Sequence, residues 1–408
     1  MQMKLAKNDR CTGCFACVNI CPKHCISIVE DDEGFLQPAA DEKICVECGL
    51  CQEVCPELCV AENKNYRQPL AVAAIDKTKE NLKMSTSGGF FGVLASYVIE
   101  NGGCIYGAAF ESDFKSVRCQ KAESPEELQK LRATKYVQSN IGTSLQDVKR
   151  ELEKGRLVLF SATACHIAGL KAFCRKDYPN LITLDLICHG VPSPGVYRKY
   201  CNNLETIFGE SIRNFCFRPK NYIWKAIFPP PRVSFRTSEE ELRGERNSYM
   251  QGFLANLYLR KPCYDCKYAK FPRTADFTIG DFWGIEEDSN FTPDTKNGVS
   301  CVLLNNEKAE KYFEAISAQV EWKTEPLELV IRRNSRVSNG KRKLTALKHR
   351  EAFYKYYAQN DWGKVEKYII RKAHGIKNDP VLFFKKNVLK ILGEERWRKI
   401  KALEYRHG

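Results

Sequence analysis

The chain lacks any clean run of the roughly 20 apolar residues that a membrane-spanning helix needs. Its most apolar stretch, residues 90–110, is interrupted by Glu100, Asn101, Gly102 and Gly103, so no transmembrane helix is expected. No cleavable leader is read at the start, and twenty cysteines occur among the 408 residues. Together these point to the reducing cytoplasm, where thiolates are kept for metal rather than for disulfides. No predicted strand is followed by G-x-G-x-x-G, which argues against a Rossmann nicotinamide site. The net charge of +14 is itself missing from most of the chain. Residues 331–408 hold 22 Lys and Arg against 7 Asp and Glu, leaving 42 against 43 for residues 1–330. A charge confined to a tail, with no recognition motif beside it, does not point to nucleic acid.

What the chain has in abundance is cysteine at fixed spacing. Cys11, Cys14, Cys17 and Cys21 precede Pro22, and the phrase recurs 34 positions later as Cys45, Cys48, Cys51 and Cys55 before Pro56. This C-x2-C-x2-C-x3-C-P run is the bacterial ferredoxin signature, in which the fourth cysteine serves the other cluster. Cys11, Cys14, Cys17 and Cys55 are therefore expected on one 4Fe-4S cluster, and Cys45, Cys48, Cys51 and Cys21 on the second. Zinc sites use C-x-x-C pairs rather than such triplets. Cys25 and Cys59 continue the repeat after both sets are complete, and are expected as small buried residues beside the clusters. Residues 1–65 carry 6 basic and 11 acidic residues, a sign that would steer an electron-carrier protein with a basic face.

The expected fold class is mixed α/β: a small two-cluster ferredoxin domain (1–65), a mixed-sheet body (66–335) and a basic helical tail (336–408). The polar run Glu62 to Asn65 reads as a linker. In the body, apolar runs at 71–75, 103–110, 157–160, 181–187, 277–279 and 299–304 read as strands, alternating with helices at 88–100 and 146–154. Residues 215–235, with Pro219 and Pro229 to Pro231, look irregular. Residues 381–403 form a basic amphipathic segment that could lie on anionic lipid, meet an acidic partner or pack on its own body.

Chemistry concentrates at a few further places. Ser87, Gly88 and Gly89 precede an apolar helix, where backbone amides could receive a phosphate or flavin, or where Ser87 could serve only as a cap. Cys263 and Cys266 form a C-x-x-C away from the ferredoxin phrase, while Cys165 and Cys188 each follow a predicted strand. Strand ends of an open sheet converge on one crevice. By spacing alone these four thiols could hold a third cluster, form a zinc knuckle or lie inert.

Six segments occur in one order: Ser87 to Gly89, Lys135 to Ser139, Thr163 to Leu170, Ile187 to Pro194, Lys261 to Cys266 and Ala275 to Gly284. Together they resemble the beta subunit family of coenzyme F-420 hydrogenases and dehydrogenases, over residues 70 to 310. The resemblance implies an iron-sulfur flavoprotein that binds FAD and a 4Fe-4S cluster and exchanges electrons with a deazaflavin. It implies Cys165, Cys188, Cys263 and Cys266 as ligands of a third cluster. It also implies Ser87, Gly88, Gly89, Lys135, Tyr136, Gln138, Ser139, Asp281, Trp283 and Gly284 around the FAD. Relatives usually carry Pro-Cys-Gln where this chain has Ala164, Cys165 and His166, which leaves the role of position 166 open. His166 and His189 each follow an expected ligand and could tune a cluster, relay a proton or serve structure.

The expected activity is that of an oxidoreductase. Electrons from a low-potential donor would pass through the clusters and FAD to a hydride-accepting small molecule, coenzyme F-420 or another conjugated compound; with the direction reversed, the partner protein would be an electron acceptor. The alternative is a subunit that relays electrons within a larger redox complex. No residue is singled out as a catalytic acid or base.

Overall fold

The computed structural model describes residues 5–7, 9–59, 63–220 and 229–377. The basic segment expected at 381–403 lies outside the described residues. Among them, no helix is long and apolar enough to cross a membrane.

The N-terminal lobe carries one hairpin, β1 (Ile26–Glu30) against β2 (Leu36–Ala40), antiparallel from Ile26 opposite Ala40 to Glu30 opposite Leu36. Asp31 closes its turn, its carboxylate accepting from the N–H groups of Glu33 and Phe35 at 3.0 and 2.9 Å, an Asx turn of the usual kind. The C-terminal side of the turn, Gly34 and Phe35, is buried. Phe35 is 1% exposed and packs among body aromatics, with its ring centroid 6.2 Å from that of Tyr354.

The following strands are β3 (Leu70–Asp76), β4 (Cys104–Phe110), β5 (Val117–Ala122), β6 (Ser139–Asn140), β7 (Val158–Ser161), β8 (Leu181–Leu186), β9 (Asn214–Cys216), β10 (Arg232–Ser234), β11 (Glu239–Glu241), β12 (Phe277–Asp281), β13 (Ser300–Leu304) and β14 (Val320–Glu325). Among the described residues, nine form one sheet in the order β14-β3-β13-β12-β8-β7-β4-β5-β6, while β9 and β10, at the two ends of the region expected to be irregular, form a small antiparallel sheet with β11 beyond it. Inside the large sheet, β12, β8, β7 and β4 run parallel, flanked by antiparallel neighbours. The fold is thus mixed α/β with a small N-terminal cysteine-rich lobe. Both faces of the sheet are covered, which is why its strands read as continuous apolar runs rather than as alternations. Val72 and Ala74 of β3 face Phe90 and Leu94, whereas Ala71, Ala73 and Ile75 face Phe282 and Ile285.

The segment joining lobe and body is tied down on its body side. Asn63 donates to the carbonyls of Pro272 and Arg273, and Asn65 to those of Arg273 and Ala275. After residue 335 the described chain forms helices Leu344–Tyr357 and Trp362–Lys377. Their apolar faces enter the aromatic cluster around Tyr249, Tyr258 and Phe253. Arg350 of the first helix ion-pairs with Glu33 of the hairpin turn.

Candidate redox centre

Each set of four cysteines meets in space. Cys11, Cys14, Cys17 and Cys55 act on one another electrostatically, as do Cys21, Cys45, Cys48 and Cys51. The first set rings a gap with Leu5, Phe15 and Pro56, and the second rings another with Pro22, Cys25 and Val46. No three His, Cys, Asp or Glu side chains among the described residues converge closely enough for a single ion. Ligands spread around a gap suit a cube that offers each thiolate its own iron better than a zinc ion that draws four to one point. Burial, then the charges of Cys11 and Cys55, pushes the Cys14 thiol up to about 12. Such a set can ionise together only around added positive charge. Cys25 is buried with its Sγ 3.3 Å from that of Cys21. Cys59, expected to be buried, is exposed, because its turn lies on the outer surface of the lobe.

The third set comes from the strand ends. Cys165 begins the helix Ala164–Cys174 that follows β7, Cys188 follows β8, and Cys263 and Cys266 lie on the turn near 261–266. Burial, then Cys263 and Cys266, holds Cys188 at about 12, and burial followed by Cys266, Cys263 and Cys188 raises Cys165. Thr163 Oγ1 lies 3.1 Å from Cys165 Sγ, and the Val191 N–H donates to Cys263 Sγ at 3.4 Å.

The first and third sets adjoin through the helix Ala164–Cys174. A Cβ added to Gly169 would lie 2.7 Å from Cys14 Cβ and 2.9 Å from its Sγ, so only glycine admits this approach. His166 Nε2 donates to the Gly13 carbonyl at 3.1 Å, and burial lowers its imidazole to about 4, leaving it neutral as a structural tie. Tyr268 is raised by burial and then by Glu57, Cys165 and Cys14, and its hydroxyl donates to Glu57 Oε1 at 3.0 Å.

On the other side of Cys188 opens a cavity of about 480 Å³, lined by the 85–91 and 131–139 segments, by Thr163, His166 and Ile187 to Pro192, and by Asp281 and Trp283. It lies where β7, β8 and β12 end, the position ligands take in open α/β sheets. Among the described residues its walls bear four guanidinium groups, of Arg132, Arg218, Arg333 and Arg336, and the amine of Lys135, against the single carboxylate of Asp281. Arg218 pairs with Asp281 at 2.7 Å and lies over the Trp283 ring. Arg132 is 6% exposed. Its Nη2 donates to Asn81 Oδ1 at 3.0 Å, but Nε and Nη1 have no partner among the described residues. Ser139 Oγ, Arg218 Nε and Arg336 Nε are likewise buried and unpartnered. Buried donors of this kind call for an acceptor, and the donor set fits an anionic, polar ligand. Burial lowers Lys135 to about 7 while its Nζ donates to the carbonyls of Lys130 and Arg132.

The residues expected around a flavin divide in two. Ser87, Gly89, Lys135, Tyr136, Gln138, Ser139, Asp281 and Trp283 line the cavity, whereas Gly88 and Gly284 stand behind it. A Cβ on Gly88 would strike the Ala74 carbonyl at 2.3 Å, and Gly89 adopts φ +88° at the start of helix Phe90–Glu100. The two glycines therefore seat the loop against β3 and β13. Gln138 is partly diverted: its Oε1 accepts from the Leu36 N–H at 3.0 Å and its Nε2 donates to the Leu36 carbonyl at 3.3 Å, clamping β2 to the body. Arg132, Arg218, Arg260 and Arg336 carry no local sequence signal and were not foreseen.

Residues 155–329 match the family model for the C terminus of the coenzyme F420 hydrogenase/dehydrogenase beta subunit, and residues 10–59 match a 4Fe-4S dicluster domain. This chain joins those two domains. The beta-subunit match takes in Cys165, Cys188, Cys263 and Cys266, while the 85–91 and 131–139 walls of the cavity precede it. No curated protein matches the chain. A chain of the F420-reducing [NiFe] hydrogenase complex from Methanosarcina barkeri is similar at 18% identity, over 78% of this chain and 93% of that one, with a TM-score of 0.44. Iron-sulfur chemistry and the oxidoreductase class follow from the two domain matches.

Proposed function

We propose that this chain is an iron-sulfur flavoprotein reductase or dehydrogenase that connects a one-electron carrier to a hydride-exchanging small molecule. The observation that carries the reading is the shared wall: Cys188 belongs to the third cysteine set and also lines the cationic cavity. In this reading the cysteine sets hold 4Fe-4S clusters and the cavity holds FAD, which converts single electrons to hydride. Arg132 and the start of helix Phe90–Glu100 would meet the diphosphate. Tyr136, Phe253 and Trp283 would wall the ring from water. Lys135 Nζ, at about 7, can hold or release a proton near neutrality. The second substrate is a conjugated hydride acceptor or donor, with a deazaflavin as the family's model case.

The test is anaerobic purification of the full chain, with iron, acid-labile sulfide, zinc and released flavin measured on one preparation. About twelve iron atoms and one FAD per chain are expected, corresponding to three cubes and one flavin. About eight iron atoms without flavin would withdraw both the third cluster and the flavin site.

A further inference from the structure

Arg260 is 2% exposed and belongs to the beta-subunit domain, yet its side chain ends in the ferredoxin lobe. Its Nε donates to the Cys11 carbonyl at 2.8 Å and Nη1 to the Leu36 carbonyl at 2.9 Å. Nη2 donates to Gln37 Oε1 and lies 3.7 Å from Cys11 Sγ. The guanidinium carbon stands 5.5 Å from the Phe35 ring centroid. All these partners are neutral except the thiolate, and among the described residues no carboxylate pairs with it. Its own backbone continues the linkage, since the Cys263 N–H donates to the Arg260 carbonyl at 2.9 Å. One residue thus spans from a ligand of the first set to the loop of the third.

A buried cation without a carboxylate partner is screened less than charges on solvated side chains. The basic side chains near the Cys21, Cys45, Cys48 and Cys51 set, Lys23 and Lys43, are both exposed. We propose that Arg260 is the resident counter-charge of the cluster held by Cys11, Cys14, Cys17 and Cys55, raising its potential above that of the outer cluster and so drawing electrons inward. This rests on the cluster assignment made above. The added electron makes a cube more negative, so a fixed positive charge beside Cys11 favours the reduced form; net charge and hydrogen bonds to sulfur are known levers on such potentials. The step would balance as one electron leaving the cluster of Cys21, Cys45, Cys48 and Cys51, the outer one because it lies away from the Gly169 contact, and reaching that of Cys11, Cys14, Cys17 and Cys55, with no proton moved. Arg260 touches ligand and loop rather than substrate, and is a positioning residue.

The experiment is an anaerobic redox titration of the full chain followed by electron paramagnetic resonance, with iron counted in every sample. Arg260→Gln removes the charge and keeps hydrogen-bonding capacity. It is expected to lower one midpoint so that the reduced fraction ratio at a fixed potential falls about tenfold, or about 59 mV for one electron, while the other midpoints stay put. Arg260→Lys should restore most of that shift. Gln37→Glu sets a carboxylate against the guanidinium without touching Arg260, and is expected to move the same midpoint downward even if Arg260→Gln fails to retain iron. An unmoved midpoint in Gln37→Glu, an Arg260→Lys shift as large as that of Arg260→Gln, or a wild-type chain whose outer cluster titrates at the higher potential would each overturn the proposal. A wild-type count of about eight iron atoms would remove the third cluster and leave this test intact, because both ferredoxin clusters would still be present.

Discussion

Replacing Arg132 with methionine tests the anion-binding wall of the cavity most directly. The arginine is almost wholly buried and has two guanidinium nitrogens with no partner among the described residues. It stands against the first turn of helix Phe90–Glu100, where a Cβ on Gly92 would touch Nη1. Asp76 lies near enough to feel it; burial raises that carboxyl, and Arg132 is among the groups that pull it back down. An anion received here gains one or two charge-assisted hydrogen bonds, about 1.5–3 kcal/mol each. At 1.4 kcal/mol per tenfold, Arg132→Met should weaken FAD binding by about tenfold if one such bond is lost and by up to about ten-thousandfold if two are. The assay is titration of flavin-stripped protein, followed by flavin fluorescence, with FAD and with riboflavin, which has no phosphate. Loss of FAD affinity with riboflavin affinity retained supports the reasoning. Equal loss for both, or no loss for either, refutes it, because the arginine would then act on shape or not at all.

Three further outcomes are expected, one from the Gly169 contact and two from the burial of Lys135. Gly169→Val forces a side chain into the contact with Cys14, an overpacking that costs about 1–3 kcal/mol. In anaerobic stopped-flow, with iron content unchanged, reduction of pocket-bound flavin by a donor to the ferredoxin lobe should slow, and an unchanged rate would remove this contact from the electron path. For Lys135, burial holds the folded side chain unprotonated down to about 7, while the unfolded chain takes up that proton below about 10.4. The unfolded state therefore binds more protons between these values, so stability rises with pH across the window. Lys135→Met should flatten that slope in denaturant titrations. The same shift predicts proton uptake when an anion binds at pH 8, read by calorimetry in buffers of different ionisation enthalpy; equal heats would exclude it.

The parts of the fold legible beforehand were those written locally. The paired cysteine phrases, the apolar runs of β3, β4, β7, β8 and β13, and the cysteines after β7 and β8 each depend on neighbours a few residues apart. Convergence of strand ends then follows from parallel β12, β8, β7 and β4. What was hidden depends on contacts between distant residues, which leave no period or spacing. Arg260 reads as one basic residue before a Pro-Cys pair, and its approach to Cys11 spans 249 positions. Phe35 reads as a hairpin residue on a small lobe, although it is a core residue of the body. Arg132 reads as the end of a charged helix.

Part of the acidity of the lobe has a second use. Its excess of Asp and Glu suggested a face for an outside partner, yet Glu30, Glu33, Glu53 and Glu57 pair with Arg198, Arg350, Arg175 and Lys267 of the body. With Phe35 seated and Gln138 clamping Leu36, the lobe is joined to the body as a fixed part. Carriers on flexible tethers deliver by a search whose duration depends on the friction of the solvent. Here, under the proposed assignment, a passage between Cys14 and Cys165 would involve no search. Thickening the medium with sucrose should slow the meeting with an external donor and leave the internal passage unchanged.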